Sequence, residues 1–124
     1  MTKALSAEKK LYHYKATVLR VVDGDTLDTR IELGLFVEIT KRIRIYRVNA
    51  PESYGKAATL EGQAAKLWAK TELQGKNVIL QTYLDHDDKY GRLLANVFYE
   101  GPDGTQVNFA QRLVAAGHGR IARG

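Results

Sequence analysis

Along the chain stand an acidic turn, Asp23-Gly24-Asp25-Thr26, an arginine at 44, a glutamate at 52 directly after Pro51, and an Asp88-Lys89-Tyr90-Gly91-Arg92 run. Metal-assisted phosphodiester cleavage needs groups of these types. It requires an oxygen-ligand cation, a group that handles attacking water, and fixed positive charge around the phosphorus. No single element is specific to that chemistry; the ordered set is what points to it.

Each element also has a plainer reading. Asp23-Gly24 makes a hairpin turn whether or not a metal is involved. Within it Asp25 is the better ligand candidate, because Asp23 is expected to satisfy backbone donors of the turn. Pro51 holds the chain extended and fixes where Glu52 emerges, which suits a general base or a water-orienting group, although a solvated loop charge fits the same residues. Arg44 lies among alternating isoleucines and shares a face with Tyr46, so periodicity leaves its direction open. Arg44 and Arg92 converging on one phosphate would neutralise it and bind its oxygens in paired fashion. The Asp85-His86-Asp87-Asp88 stretch lacks ligand spacing and reads as a solvated loop, and His13, His86 and His118 are scattered.

The elements that must position these residues follow from pattern. With 124 residues and 44 % hydrophobic content the chain can bury one core without staples. It contains no cysteine, which excludes disulfides and thiolate zinc sites. A net charge of +5 favours a polyanionic partner. No apolar run approaches the roughly 20 residues of a membrane span, so no membrane association is expected, and no obligate protein partner is visible. Residues 1–11 are polar and read as a flexible N-terminal segment, with 12–124 as a single domain. No apolar core of a signal peptide follows the first lysines; the protein acts where it is made, or a leader has been removed.

From Tyr14 to Val22 the chain alternates like a strand, and Leu27, Thr29, Ile31 and Leu33 share one face of a second. Gly34 marks another turn. A third strand is predicted through Ile43, Ile45 and Val48 until Pro51. Leu60, Ala64, Leu67, Trp68 and Thr71 then fall at helical spacing, with Thr59 as N-cap, Gly75 past the end, and Leu67 and Trp68 as core residues. Val78–Leu84 and Leu93–Glu100 read as strands, and a short helix follows Asn108, with Gly117 beyond it. Three strands, a helix, two strands and a helix suggest a mainly β fold: a five-stranded OB-fold barrel with two or three short helices, an architecture used for oligonucleotides.

The order Val22-Asp23-Gly24-Asp25-Thr26, Arg44, Ala50-Pro51-Glu52, Asp88-Lys89-Tyr90-Gly91-Arg92, Val107-Asn108, Leu113-Val114 and Gly117 resembles the staphylococcal (thermonuclease-type) nuclease family over residues 14–122. The resemblance implies an OB-fold barrel and calcium-dependent hydrolysis of DNA and RNA with little sequence preference; the expected substrates are single-stranded DNA and RNA, with duplex DNA left open. It implies Asp25, Asn49 and the Ala50 carbonyl as metal ligands, Glu52 as the residue that activates or positions water, and Arg44 and Arg92 on the scissile phosphate. Lys89 and Tyr90 would lie along the nucleotide.

The chain departs from the family pattern in three places. Asn49 stands where an aspartate is usual, which removes one negative charge and leaves room for a divalent ion other than calcium. Arg123 replaces a tyrosine that holds nucleotide in the type member, and the sequence stops at Gly124 where that member continues into a third helix. The competing expectation is a non-catalytic OB-fold module that holds nucleic acid without cutting it.

Overall fold

A computed structural model of the chain describes residues 12–53, 55, 58–83 and 92–122. Three long strands form an antiparallel meander: β1 (His13–Asp23), β2 (Thr26–Gly34) and β3 (Val37–Ile45). After the two-residue β4 (Val48–Asn49) comes helix α1 (Leu60–Leu73). Then follow β5 (Asn77–Tyr83), β6 (Leu93–Glu100), β7 (Gln106–Asn108), α2 (Phe109–Ala115) and β8 (Arg120–Ile121). β5 returns to pair with β1, β6 pairs with β5, and β6 runs parallel to β3 through Ile43↔Leu93, Arg44↔Leu94 and Ile45↔Ala95. That parallel contact closes β1, β2, β3, β5 and β6 into a five-stranded mixed barrel, the expected OB-type fold.

The period-two faces put Val18, Leu27, Ile31, Ile43, Leu80 and Val97 inside. Phe109 and Leu113 of α2 seal one end, and Leu73 of α1 joins the same cluster. Each fully buried side chain of this size contributes about 1.5–3 kcal/mol. β1 carries register shifts between Val18 and Arg20 and between Val21 and Asp23, so Val18 and Val21, three residues apart, both face the core, while Val22 is buried outside that cluster. The β2–β3 hairpin overruns the barrel. Leu27, Thr29 and Ile31 are buried as expected, but Leu33 lies beyond the core and is exposed, next to a tip made of Leu35 and Phe36.

Both helices start at their predicted caps. The Thr59 side chain accepts from the Gly62 N–H at 2.9 Å, and the Asn108 Oδ1 accepts from the Gln111 N–H at 3.3 Å. The inward face of α1 differs from expectation. Gly62, Ala65, Ala69 and Leu73 are buried, whereas Leu60 and Leu67 are exposed. Trp68 does pack on the core, stacked on Phe109 at 5.6 Å, but Leu67 does not share its burial. Small residues win the inward face because the helix lies directly on backbone: a Cβ on Gly24 would sit 3.2 Å from the Ala65 Cβ. Nor does the third strand reach Pro51. It ends at Ile45, and a turn at Tyr46-Arg47, with Arg47 at φ 60°, starts β4, which pairs with β8. Residues 1–11 and Arg123 lie outside the described residues. Among the described residues no helix is long and apolar enough to cross a membrane.

Candidate active site

The β1–β2 turn, the end of β3, the chain after β4 and the start of β6 meet at one rim of the barrel. They enclose a cleft of about 560 Å³ whose lining includes Asp25, Arg44, Asn49, Ala50, Glu52 and Arg92. Six of the eight residues singled out from the sequence therefore come together. Lys89 and Tyr90, with the Asp85–Asp88 stretch, lie outside the described residues.

Asp25 is buried and held on three sides. Its Oδ2 accepts the Ala50 N–H at 2.7 Å, its Oδ1 accepts the Thr26 hydroxyl at 3.0 Å, and its carbonyl accepts the Ile45 N–H at 2.9 Å. The turn thus locks the carboxylate to both β3 and the chain after β4. Asp23 does accept a backbone donor, but that of Ser53 across the cleft at 3.1 Å, outside its own turn. Gly24 between them has Ala50 packed so close that a Cβ would come within 2.8 Å of the Ala50 Cβ.

The structure settles the direction of Arg44. Ile43 and Ile45 are fully buried, so Arg44 points to the other face, into the cleft. Its Nη2 lies 3.4 Å from Asp25 Oδ2 and also donates to Asn49 Oδ1, while Nη1 donates to the Ile45 carbonyl at 3.0 Å. Arg92 reaches the same cleft from the residue before β6, next to the β3–β6 seam. Arg42 also lines it, but is held by a two-pronged ion pair to Asp28 at 2.8 and 3.2 Å.

Glu52 sits at the exposed rim, after Pro51. Its carbonyl accepts the Thr59 N–H at 3.0 Å, which ties the loop to the start of α1. Its carboxyl is held above the ordinary range chiefly by desolvation, then by the charge and hydrogen bond of Asp23 and by Asp25, with Arg44 acting the other way.

Asp25 Oδ2 and Asn49 Oδ1 converge on one guanidinium nitrogen, so two hard oxygens already face a common cationic position beside further carboxylates. An all-oxygen set of this kind suits calcium or magnesium. Among the described residues no three His, Cys, Asp or Glu side chains form a metal-holding group, so such an ion would depend on the amide and backbone oxygens as well.

The model of the family described as staphylococcal nuclease homologue matches residues 42–123. The chain belongs to this family. The matched span contains Arg44, Asn49, Ala50, Glu52 and Arg92, and the β1–β2 turn adds Asp25 from outside it. The chain is 30% identical to an uncharacterised protein of Methanocaldococcus jannaschii, over 88% of this chain and 59% of that protein. It is 28% identical to Endonuclease Htp3 of Saprolegnia parasitica, over 93% of this chain and 61% of that one. It is 36% identical to Endonuclease YhcR of Bacillus subtilis over 77% of this chain, which is 8% of that longer protein. The chain thus spans 50–61% of the length of the first three curated relatives it matches. Family and relatives together make this a nuclease-like domain with an OB-type barrel.

Sequence reasoning missed the residues that place the site rather than line it. Gly62 is the foremost: a Cβ there would stand 1.7 Å from the Glu52 carbonyl oxygen. A glycine inside an otherwise helical run costs about 1 kcal/mol against alanine, and that cost was the one available signal of a close approach.

Proposed function

We propose that this chain is a divalent-cation-dependent phosphodiesterase that hydrolyses DNA and RNA with little sequence preference. The observation that carries this reading is the shared cleft: Arg44, Glu52 and Arg92, distant in sequence, line it together with Asp25. Arg44 and Arg92 bind the scissile phosphate and neutralise the charge that grows on its oxygens during attack. Glu52 orients the attacking water and accepts its proton, and a carboxyl pKa raised from the ordinary value brings it nearer that of an effective base. Asp25, the Asn49 side-chain oxygen and the Ala50 carbonyl would hold the cation, calcium in the first instance. When bound, that ion supplies Lewis-acid polarisation of the phosphate and a lowered pKa for bound water. Lys89 and Tyr90 are assigned to the nucleotide on the family resemblance.

The second reading, an OB-fold module that binds without cutting, is favoured by one feature: Asn49 in place of a carboxylate lowers the charge available to a metal. Incubating the protein with single-stranded DNA in calcium, in magnesium and in chelator separates the two. Fragmentation with a divalent ion and none in chelator is expected. DNA that is retarded but uncut in all three conditions would establish the binding module instead.

A further inference from the structure

Beside the cleft two aromatic rings are stacked and a guanidinium lies over one of them. The Tyr46 and Tyr83 rings lie 4.0 Å apart at 21°, and the Arg47 guanidinium stands over the Tyr46 ring, 4.9 Å from its centre. A ring has two faces; the close stack with Tyr83 fills one and leaves the other to Arg47, so the column ends in an exposed, charged plane.

The column is built, not incidental. Arg47 adopts φ 60°, a backbone conformation that disfavours a side chain. The turn is pinned by Tyr46 N–H to the Ala95 carbonyl at 2.9 Å and by Ala122 N–H to the Arg47 carbonyl at 2.8 Å. Asn96 Nδ2 donates to the Tyr83 hydroxyl at 2.8 Å and fixes that ring. The register sets the position relative to the cleft. Leu94 pairs with Arg44 on one side and Tyr83 on the other, and these alternate with core positions Ile43, Ile45, Thr82 and Ala95. Two strand spacings put Tyr83 about 10 Å from Arg44 on the same outer face, within reach of a nucleotide next to a phosphate at Arg44.

We infer that Arg47, Tyr46 and Tyr83 form a base-stacking subsite for single-stranded nucleic acid, with the Arg47 guanidinium as the plane on which a neighbouring base lies. The inference rests on the reading of the cleft as a phosphodiester site. A guanidinium plane backed by aromatic rings accepts any base, since every base presents a π-face, and so adds grip without sequence preference.

The test is fluorescence anisotropy in chelator with a labelled single-stranded oligonucleotide and its abasic counterpart. The wild type should prefer the base-bearing strand, and Arg47→Gly should reduce that preference about fivefold or more. Glycine tolerates the positive φ, so this variant keeps its fold; thermal melting checks it. Tyr46→Leu should weaken the preference likewise, and Arg47→Lys, which keeps charge but loses the plane, should behave like Arg47→Gly. Leu67→Ala on the exposed face of α1 serves as control. A full preference retained by folded Arg47→Gly, or restored by Arg47→Lys, overturns the subsite. Base preference in a protein that cuts no DNA refutes cleavage alone, whereas cleavage with no base preference refutes the subsite alone.

Discussion

Gly62→Ala gives the sharpest test of how the site is held. On helix propensity alone the change should stabilise the protein by about 1 kcal/mol, because glycine is the worse helix former. The structure argues otherwise. The new Cβ would lie 1.7 Å from the Glu52 carbonyl oxygen, 2.3 Å from its carbonyl carbon and 2.9 Å from the Pro51 oxygen, against an ordinary contact of 3.4 Å or more. Those atoms are backbone and cannot rotate away, so helix and loop must separate by more than 1 Å. The Thr59 N–H bond to the Glu52 carbonyl would go with them. Overpacking of this kind costs about 1–3 kcal/mol, which cancels or exceeds the propensity gain. The larger effect falls on turnover: displacing a reacting group by about 1 Å costs on the order of 100-fold. Melting temperature and initial rates on single-stranded DNA should be measured beside Glu61→Ala, an exposed control on the same helix. Wild-type turnover in Gly62→Ala would refute the claim that this contact sets the position of Glu52.

Arg44→Ala and Arg92→Ala should each lower kcat on the order of 100- to 1,000-fold, the loss expected for one charge-stabilising donor, with the circular-dichroism spectrum unchanged. Asn49→Asp should tighten calcium binding by roughly tenfold, since one more carboxylate raises the ligand charge, as read by isothermal titration calorimetry. Tyr99 donates to Glu72 Oε2 at 2.7 Å, and burial together with that carboxylate raises its hydroxyl pKa far above the ordinary value. The native state therefore holds the proton longer than the unfolded chain, and stability falls as pH rises above about 10. Tyr99→Phe should remove that alkaline fall in urea titrations, while costing about 1.5–3 kcal/mol at neutral pH through loss of a bond to a charged group.

Much of the fold is legible in local chemistry. Thr59 and Asn108 cap their helices because their side-chain oxygens meet otherwise unpaired N–H groups, and the Leu93–Glu100 strand has its predicted limits. The inward face of α1 escapes such reading, since large apolar residues at helical spacing look like core, while here Gly62 and Ala65 allow close approach and Leu60 and Leu67 stay outside. The break at Arg47 escapes as well: no Gly, Pro or Asn announces it, and pinning by Ala95 and Ala122 imposes it. Arg44, Glu52 and Arg92 were identifiable as types. That they share a cleft depends on the β3–β6 seam, which no periodicity encodes. The Arg47–Tyr46–Tyr83 column is invisible in sequence for the same reason, since its rings belong to separate segments.

The β3–β6 seam also has a kinetic consequence. Ile43 and Leu93 come from opposite halves of the chain, and joining them closes a long loop before any reward is gained. Arg44 and Arg92 flank that joint, so the cleft does not exist in a chain that has folded only its meander. A fragment ending before β6 carries every candidate site residue but lacks the strand that brings Arg92 beside Arg44, so on the proposed reading it should not cut. If the chain cuts nucleic acid as proposed, recovery of cutting during refolding should follow formation of this seam.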